Sequence, residues 1–232
     1  CSSFILMKEQ IENAIDWIKN QDIDGCLTGS CLLSYYEGQD IDVFTYNEAA
    51  YTKLLYSMYH NPLFLLLDPI EIWKYNLSVD VNVIYKKGQE SIFQVLASFD
   101  MDIISKGFDL KTKKMLDLSE NRPGIATWNK WNNRFYDVNI WSISSLLRQF
   151  QRVIKYHKRG YDTDEITLKY IEVLKEMMEY ENIFNSIKID EKVESIKKNG
   201  IILVQIFNKW LETHSITDEE MDVLTLTINE LR

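Results

Sequence analysis

From Met7 to Asn20 the apolar residues Ile11, Ala14, Ile15 and Ile18 recur at helical spacing, which predicts an amphipathic helix. That helix leads into a short apolar strand, Cys26-Leu27-Thr28. Nine residues after the Gly29-Ser30 pair comes a second strand, Asp40-Ile41-Asp42-Val43-Phe44. Glu48 to Met58 reads as a helix with Leu54, Leu55 and Met58 on one side. Ser78 to Tyr85 alternates Val79, Val81, Val83 and Tyr85 with Asp80, Asn82 and Ile84, the period of a strand. A helix at Ser91–Ala97 then feeds a further strand over Phe99-Asp100-Met101-Asp102-Ile103-Ile104. Lys114 to Leu118 adds another strand before the breaker Asn121-Arg122-Pro123-Gly124.

Beyond the breaker the pattern is helical almost without interruption. Trp128–Phe135, Ser142–Arg159, Thr163 to about Phe184 and Gly200–Leu211 are predicted helices, with Asp162 as a cap for the third. Thr217 followed by Glu220 is a capping-box pattern that opens a last helix. All three prolines fall in the first 123 residues. The expected fold class is therefore α+β. A mixed sheet flanked by helices occupies residues 1–122, and a helical domain occupies residues 123–232.

Composition narrows the functions open to such a chain. It has 232 residues, enough for one large core or two small ones. No apolar run approaches a membrane span, since Leu63-Phe64-Leu65-Leu66-Leu67 is far too short, so no membrane partner is expected. The first residues lack the basic region, apolar core and cleavage site of a secretory signal, although the chain begins at Cys1 rather than Met. Three cysteines, Cys1, Cys26 and Cys31, are too few for a disulfide framework, and no Cys/His spacing suggests zinc. A cytoplasmic setting is the expectation. The net charge of -9, from 26 basic and 35 acidic residues, argues against binding extended duplex nucleic acid. A local basic patch could still hold a nucleotide or a nucleic-acid end.

The candidate chemistry lies between Gly29 and Phe44. Asp40 and Asp42 sit two apart on a strand and so share one face, while Ile41 and Val43 turn the other way to bury. Two carboxylates held that close repel each other. A divalent cation relieves the repulsion and can hold a triphosphate besides. The Gly29-Ser30 turn lets backbone amides approach phosphate where a larger residue would block them.

A Gly-Ser turn ahead of an Asp-x-Asp strand resembles the signature of the nucleotidyltransferase fold, the DNA polymerase beta-like superfamily. Phe99-Asp100-Met101-Asp102, followed by Gly107-Phe108-Asp109, is similar to a strand and turn in a poorly characterised viral, phage and microbial nucleotidyltransferase-like group. The same group commonly carries a later helical Arg-x-x-Lys-Tyr-x-x-Arg-Gly-aromatic segment. Arg152, Lys155, Tyr156, Arg159, Gly160 and Tyr161 stand in that arrangement here. The three segments lie within residues 25–161 and leave the C-terminal helices uncovered.

The resemblance implies a nucleotidyltransferase-type sheet and transfer of a nucleoside monophosphate from a nucleoside triphosphate to an acceptor, with Mg2+ or Mn2+ as cofactor. It implies metal binding by Asp40, Asp42 and a third carboxylate from a neighbouring strand. Asp80, Asp100 and Asp102 all qualify, each lying between apolar residues, and the preference falls on Asp100 or Asp102, with Asp100 as the third metal ligand. Gly29 and Ser30 would cradle the triphosphate. The acceptor, an RNA end, a protein hydroxyl, an antibiotic or a second nucleotide, is not specified.

Arg148, Arg152, Lys155 and Arg159 fall at i, i+4, i+7 and i+11, one stripe of a helix that has no acidic residue from Ser142 to Arg159. Within the resemblance this stripe binds the triphosphate or an acceptor phosphate; acidic residues elsewhere in the chain could equally satisfy it. Tyr156 and Tyr161 could stack on a base or simply pack. His157 points to the apolar side of its helix, and His60 and His214 carry no signal. Trp128 and Trp131 with Asn129, Asn132 and Asn133 form an aromatic and amide-rich patch. A competing expectation is a protein of the same fold that binds a nucleotide or a partner protein without turnover. Ile201, Ile202, Leu203, Ile206 and Leu211 would then be the partner surface.

Overall fold

The computed structural model describes residues 2–33, 40–61, 81–120, 122–133, 143–184 and 191–230; the side chains of 2–7, 143, 180–184 and 191–199 are not part of that description. Asp80, the apolar run at 63–67 and residues 134–135 of the predicted Trp128 helix lie outside it. The chain divides into two compact units, Cys1–Asn121 and Arg122–Arg232. The fold is α+β, a five-stranded mixed sheet with flanking helices followed by C-terminal helices.

The first unit runs α1 (Ser2–Lys19), β1 (Gly25–Thr28), a 3-10 turn (Ser30–Leu32), β2 (Ile41–Thr45), α2 (Glu48–Tyr59) and β3 (Val81–Tyr85). It continues with α3 (Ile92–Ala97), a second 3-10 turn (Asp102–Ile104), β4 (Lys106–Asp109) and β5 (Met115–Asp117). The strands lie in the order β3-β2-β1-β4-β5. Only β2 and β3 are parallel; β1–β2, β1–β4 and β4–β5 are antiparallel. Strand alternation divides the side chains between two cores. Leu27, Ile41 and Val43 pack with Ile11, Ala14 and Ile18 of α1 and Ala50, Leu54 and Met58 of α2. On the other face Cys26, Phe44 and Val95 pack together, with Phe99 5.5 Å from the Phe44 ring.

Two glycines set close approaches in this sheet. A Cβ on Gly25 would lie 2.6 Å from the Phe44 carbonyl oxygen, so only glycine fits there. A Cβ on Gly107 would meet Ile92 Cδ1 at 3.2 Å and Leu96 Cδ2 at 3.3 Å, which is where α3 crosses β4.

Residues Phe99–Ile104 do not form the expected strand. Asp100 lies in a bend, Met101 makes an isolated bridge, and Asp102–Ile104 form the 3-10 turn. Local side-chain bonds compete with a strand ladder. Asp100 Oδ1 accepts the Met101 N–H at 2.7 Å, and Ser105 Oγ donates to the Met101 carbonyl at 2.8 Å. The strand beneath α3 begins only at Lys106 and carries Gly107, the residue that the approach of Ile92 and Leu96 requires.

The second unit holds α4 (Ile143–Lys158), α5 (Asp164–Phe184), α6 (Glu191–Thr213) and α7 (Asp218–Glu230). Its core is aromatic: the Phe150 and Phe207 rings stack at 3.9 Å, and Trp210 stands edge-on to Phe150 at 6.3 Å. The capping box is present as read. Thr217 Oγ1 accepts the Glu220 N–H at 3.1 Å, and Glu220 Oε1 accepts the Thr217 N–H at 3.0 Å. Asp162 Oδ1 accepts the Asp164 N–H at the start of α5. The helix expected from Trp128 does not form over its described residues, where Trp128 makes an isolated bridge and residues 130–131 a turn. Asn129 Oδ1 takes the Trp131 N–H at 3.1 Å and Trp128 Nε1 donates to the Asn132 carbonyl at 2.9 Å, bonds that divert the backbone from helix.

Candidate functional site

The acidic strand is β2, second from one edge of the sheet. Ile41 and Val43 are fully buried, Asp42 is half-buried between them, and Asp40 is exposed just ahead of the strand. Asp42 shares its sheet face with Phe44, the side on which α3 lies. Antiparallel pairing sets it opposite Thr28 of β1, and parallel pairing sets it opposite Asn82 of β3. Thr28 is in turn opposite Gly107 of β4, giving one row across four strands, Gly107-Thr28-Asp42-Asn82. Asn82 Nδ2 donates to Asp42 Oδ1 at 3.0 Å.

Gly29 closes the site from β1. Its φ of +93° and ψ of -167° belong to a region that glycine alone enters at no steric cost. A Cβ at this residue would lie 3.4 Å from Asp42 Oδ2. The small-residue turn and the acidic strand therefore meet, with Ser30 opening the 3-10 turn just after it. Cys31 belongs to the same turn and donates to the Thr28 carbonyl at 3.2 Å. Burial, and then the charge of neighbouring Asp42, push its thiol up to about 12.

The two preferred third carboxylates are placed differently from the expectation. The strands beside β2 are β1 and β3, and neither Asp100 nor Asp102 lies on any strand. Asp100 is half-buried in its bend, and Asp102 is only 2% exposed within the 3-10 turn. Asp80, next before Val81 in the chain, lies outside the described residues. Among the described residues no three of the His, Cys, Asp and Glu side chains gather closely enough to hold a metal ion.

The donor set around β2 still suits one hard cation. Mg2+ is commonly held by one or two carboxylates, with water and phosphate oxygens completing its shell. Asp40, just ahead of β2, and Asp42 carry carboxylates of that kind. A second cation calls for a further carboxylate, which no described residue brings to them.

The basic stripe belongs to the second unit. Arg148 and Lys155 are exposed on α4, whereas Arg152, and Arg159 just past its end, are half-buried. Three of these cations surround one ring: Arg152 Cζ lies 5.6 Å, Lys155 Nζ 5.9 Å and Arg159 Cζ 5.2 Å from the Tyr156 centroid. Tyr156 is itself only 3% exposed, so its ring is packed and does not present a face to a base. Tyr161 stands edge-on to it at 6.1 Å.

Two groups of residues had no signal in the sequence. Asn82 is the first, because its meeting with Asp42 depends on strand pairing across 40 positions. The second joins His157, His214, Asp164 and Trp210. The two imidazoles stack at 4.6 Å, Trp210 stands edge-on to both, and His214 Nε2 lies 2.7 Å from Asp164 Oδ1. His214 has a φ of +50° and its N–H reaches the Trp210 carbonyl at 2.7 Å, the geometry that ends a helix. These contacts tie the ends of α4, α5 and α6 together, a structural role. Of the expected partner surface, Leu203 and Ile206 are buried in the core, while Ile201 and Ile202 are exposed.

No helix among the described residues is long and apolar enough to cross a membrane. No protein-family model matches the chain, and neither the curated proteins nor the solved structures include a detectable match.

Proposed function

We propose that this protein is a metal-dependent nucleotidyltransferase of the DNA polymerase beta-like superfamily. It would move a nucleoside monophosphate from a nucleoside triphosphate to an acceptor hydroxyl. The observation that carries this reading is the meeting of Gly29 with Asp42: a left-handed turn that needs glycine lies against a carboxylate on an interior strand. That contact joins, in space, the two halves of the motif that suggested the activity.

Asp40 and Asp42 would hold Mg2+ or Mn2+, with Asp80, Asp100 or Asp102 as the source of any third carboxylate. The cation's contribution would be to offset triphosphate charge and to favour ionisation of the attacking hydroxyl. Gly29 leaves room for a phosphate to approach the backbone of the turn, and Ser30 adds a hydroxyl donor beside it. In the second unit, the basic stripe of Arg148, Arg152, Lys155 and Arg159 would favour an anionic ligand such as a nucleotide phosphate. In the transfer, the acceptor oxygen bonds to the α-phosphorus as the bond to pyrophosphate breaks. An RNA end or a protein hydroxyl fits as acceptor; extended duplex and membrane do not enter the reading. Cys26 and Cys31 are both free thiols, consistent with a reducing cytoplasm.

The test is incubation of the full chain with labelled nucleoside triphosphates, Mg2+ or Mn2+, and RNA or protein acceptors. Wild type is expected to transfer label, and the Asp40→Ala, Asp42→Ala double variant to fall to background. Equal labelling by the two proteins would falsify the mechanism.

One observation favours a second reading, a protein of this fold that binds nucleotide or a partner protein without turnover. It is that no third His, Cys, Asp or Glu side chain joins Asp40 and Asp42 among the described residues. In that case labelled nucleotide is retained by wild type, lost by the double variant, and transferred by neither.

A further inference from the structure

We infer that Asn82 is the positioning residue of this site: its amide orients Asp42 and thereby sets how tightly a divalent cation is held. The inference rests on the metal-binding reading of Asp40 and Asp42 given above. Asn82 and Asp42 are partners in the parallel register of β2 and β3, so their side chains leave the same face of the sheet. The Asn82 Nδ2 to Asp42 Oδ1 bond, at 3.0 Å, fixes which way the carboxylate lies. Oδ2 is then the oxygen turned to the Gly29 turn, where an added Cβ would stand 3.4 Å away.

The identity of the side chain matters as much as its place. An aspartate at 82 would set a like charge directly across from Asp42, which disfavours the pair. An amide supplies the N–H donor and adds no charge. Thr28, on the opposite flank of Asp42, does not take this role. Its residue is fully buried, and its hydroxyl makes no hydrogen bond among the described residues. Of these two residues flanking Asp42, Asn82 of β3 is the one whose side chain bonds the carboxylate. Groups that orient a metal-ligating side chain typically cost 10–100-fold in metal affinity when removed.

Titration of Mn2+ into the full-length protein, followed by the electron paramagnetic resonance signal of the unbound ion, tests this. Wild type, Asp42→Asn, Asn82→Ala, Asn82→Val and Asn82→Gln are compared, with metal-free melting curves confirming that each is folded. Asp42→Asn should lose binding. Either folded donor-less variant, Asn82→Ala or Asn82→Val, should bind Mn2+ about 10-fold more weakly or worse. Asn82→Gln, which keeps an amide donor, should recover part of the loss. If Asp42→Asn loses binding while the donor-less variants bind like wild type, Asn82 does not position Asp42, whatever their melting temperatures, and the metal site itself stands. If wild type takes up no Mn2+, or Asp42→Asn binds as well as wild type, the metal site falls and this inference with it.

Discussion

Cys26 lies at the middle of β1, opposite Phe44 on one neighbour and Asp109 on the other. The Tyr46 hydroxyl reaches Asp109 Oδ2 at 2.9 Å, and Asp109 Oδ1 accepts the Lys111 and Thr112 N–H groups that start the turn to β5. Burial raises the Cys26 thiol from its ordinary 9.0 to about 12, opposed by its hydrogen bond with Tyr46 and reinforced by the charge of Asp109. Burial drives the Tyr46 hydroxyl upward as well. The protonated thiol is thus the form that the fold favours. Its contribution to stability is complete below about pH 9 and declines as the pH rises toward 12. Denaturant titrations of wild type and Cys26→Ala between pH 8 and pH 11 should show the stability gap narrowing above pH 9. A gap that stays constant over that range rules out the linkage.

At the scale of elements, the helices follow local rules and the first of these is the start of α7. The reciprocal Thr217–Glu220 bonds satisfy backbone donors that the helix cannot, and Lys209 Nζ reaches Glu220 Oε1 at 2.6 Å from α6. The Lys209 bond is the main reason the Glu220 carboxyl is held below its ordinary value of 4.5, followed by the bond from the Thr217 backbone. Thr217→Ala should cost about 1 kcal/mol, measured by urea unfolding near neutral pH. The Glu220 share of the stability is present above pH 4.5 and lost as the solution is acidified below it. An unchanged unfolding midpoint in Thr217→Ala would show that the cap is idle. Gly200 lies inside α6, where a Cβ would come 2.9 Å from Met178 Sδ of α5, so a residue that weakens an isolated helix is kept for close packing.

At the scale of the molecule, each unit has its own core. Phe207 is fully buried in the second, stacked on Phe150 at 3.9 Å. Phe207→Ala removes that ring and leaves a cavity, at a cost of about 3–5 kcal/mol. Its effect should fall on the second unit, seen as a lowered melting transition. The Mn2+ uptake proposed for the first unit should stay as in wild type. Loss of Mn2+ uptake together with helical structure would show that the two units do not hold their cores independently.

The α+β class, the Asp40–Phe44 strand, the helices α1 to α5 and α7, the C-terminal half of α6 and the Thr217 cap were legible because each is written in spacing along one short segment. Amphipathic period and end-capping are local properties, and a helix or a two-faced strand expresses them wherever it lies. The neighbours of β2 were not legible in that way. Asp100 and Asp102 alternate with apolar residues as a strand does, yet their own backbone contacts and the need for Gly107 under α3 moved the strand further along the chain. Asn82 had nothing in its segment to mark it; parallel pairing with β2 set it against Asp42. Which strands adjoin, and therefore which polar groups meet, is settled by crossover connections and by the packing of helices on both faces. Those are long-range choices that no single window of residues contains.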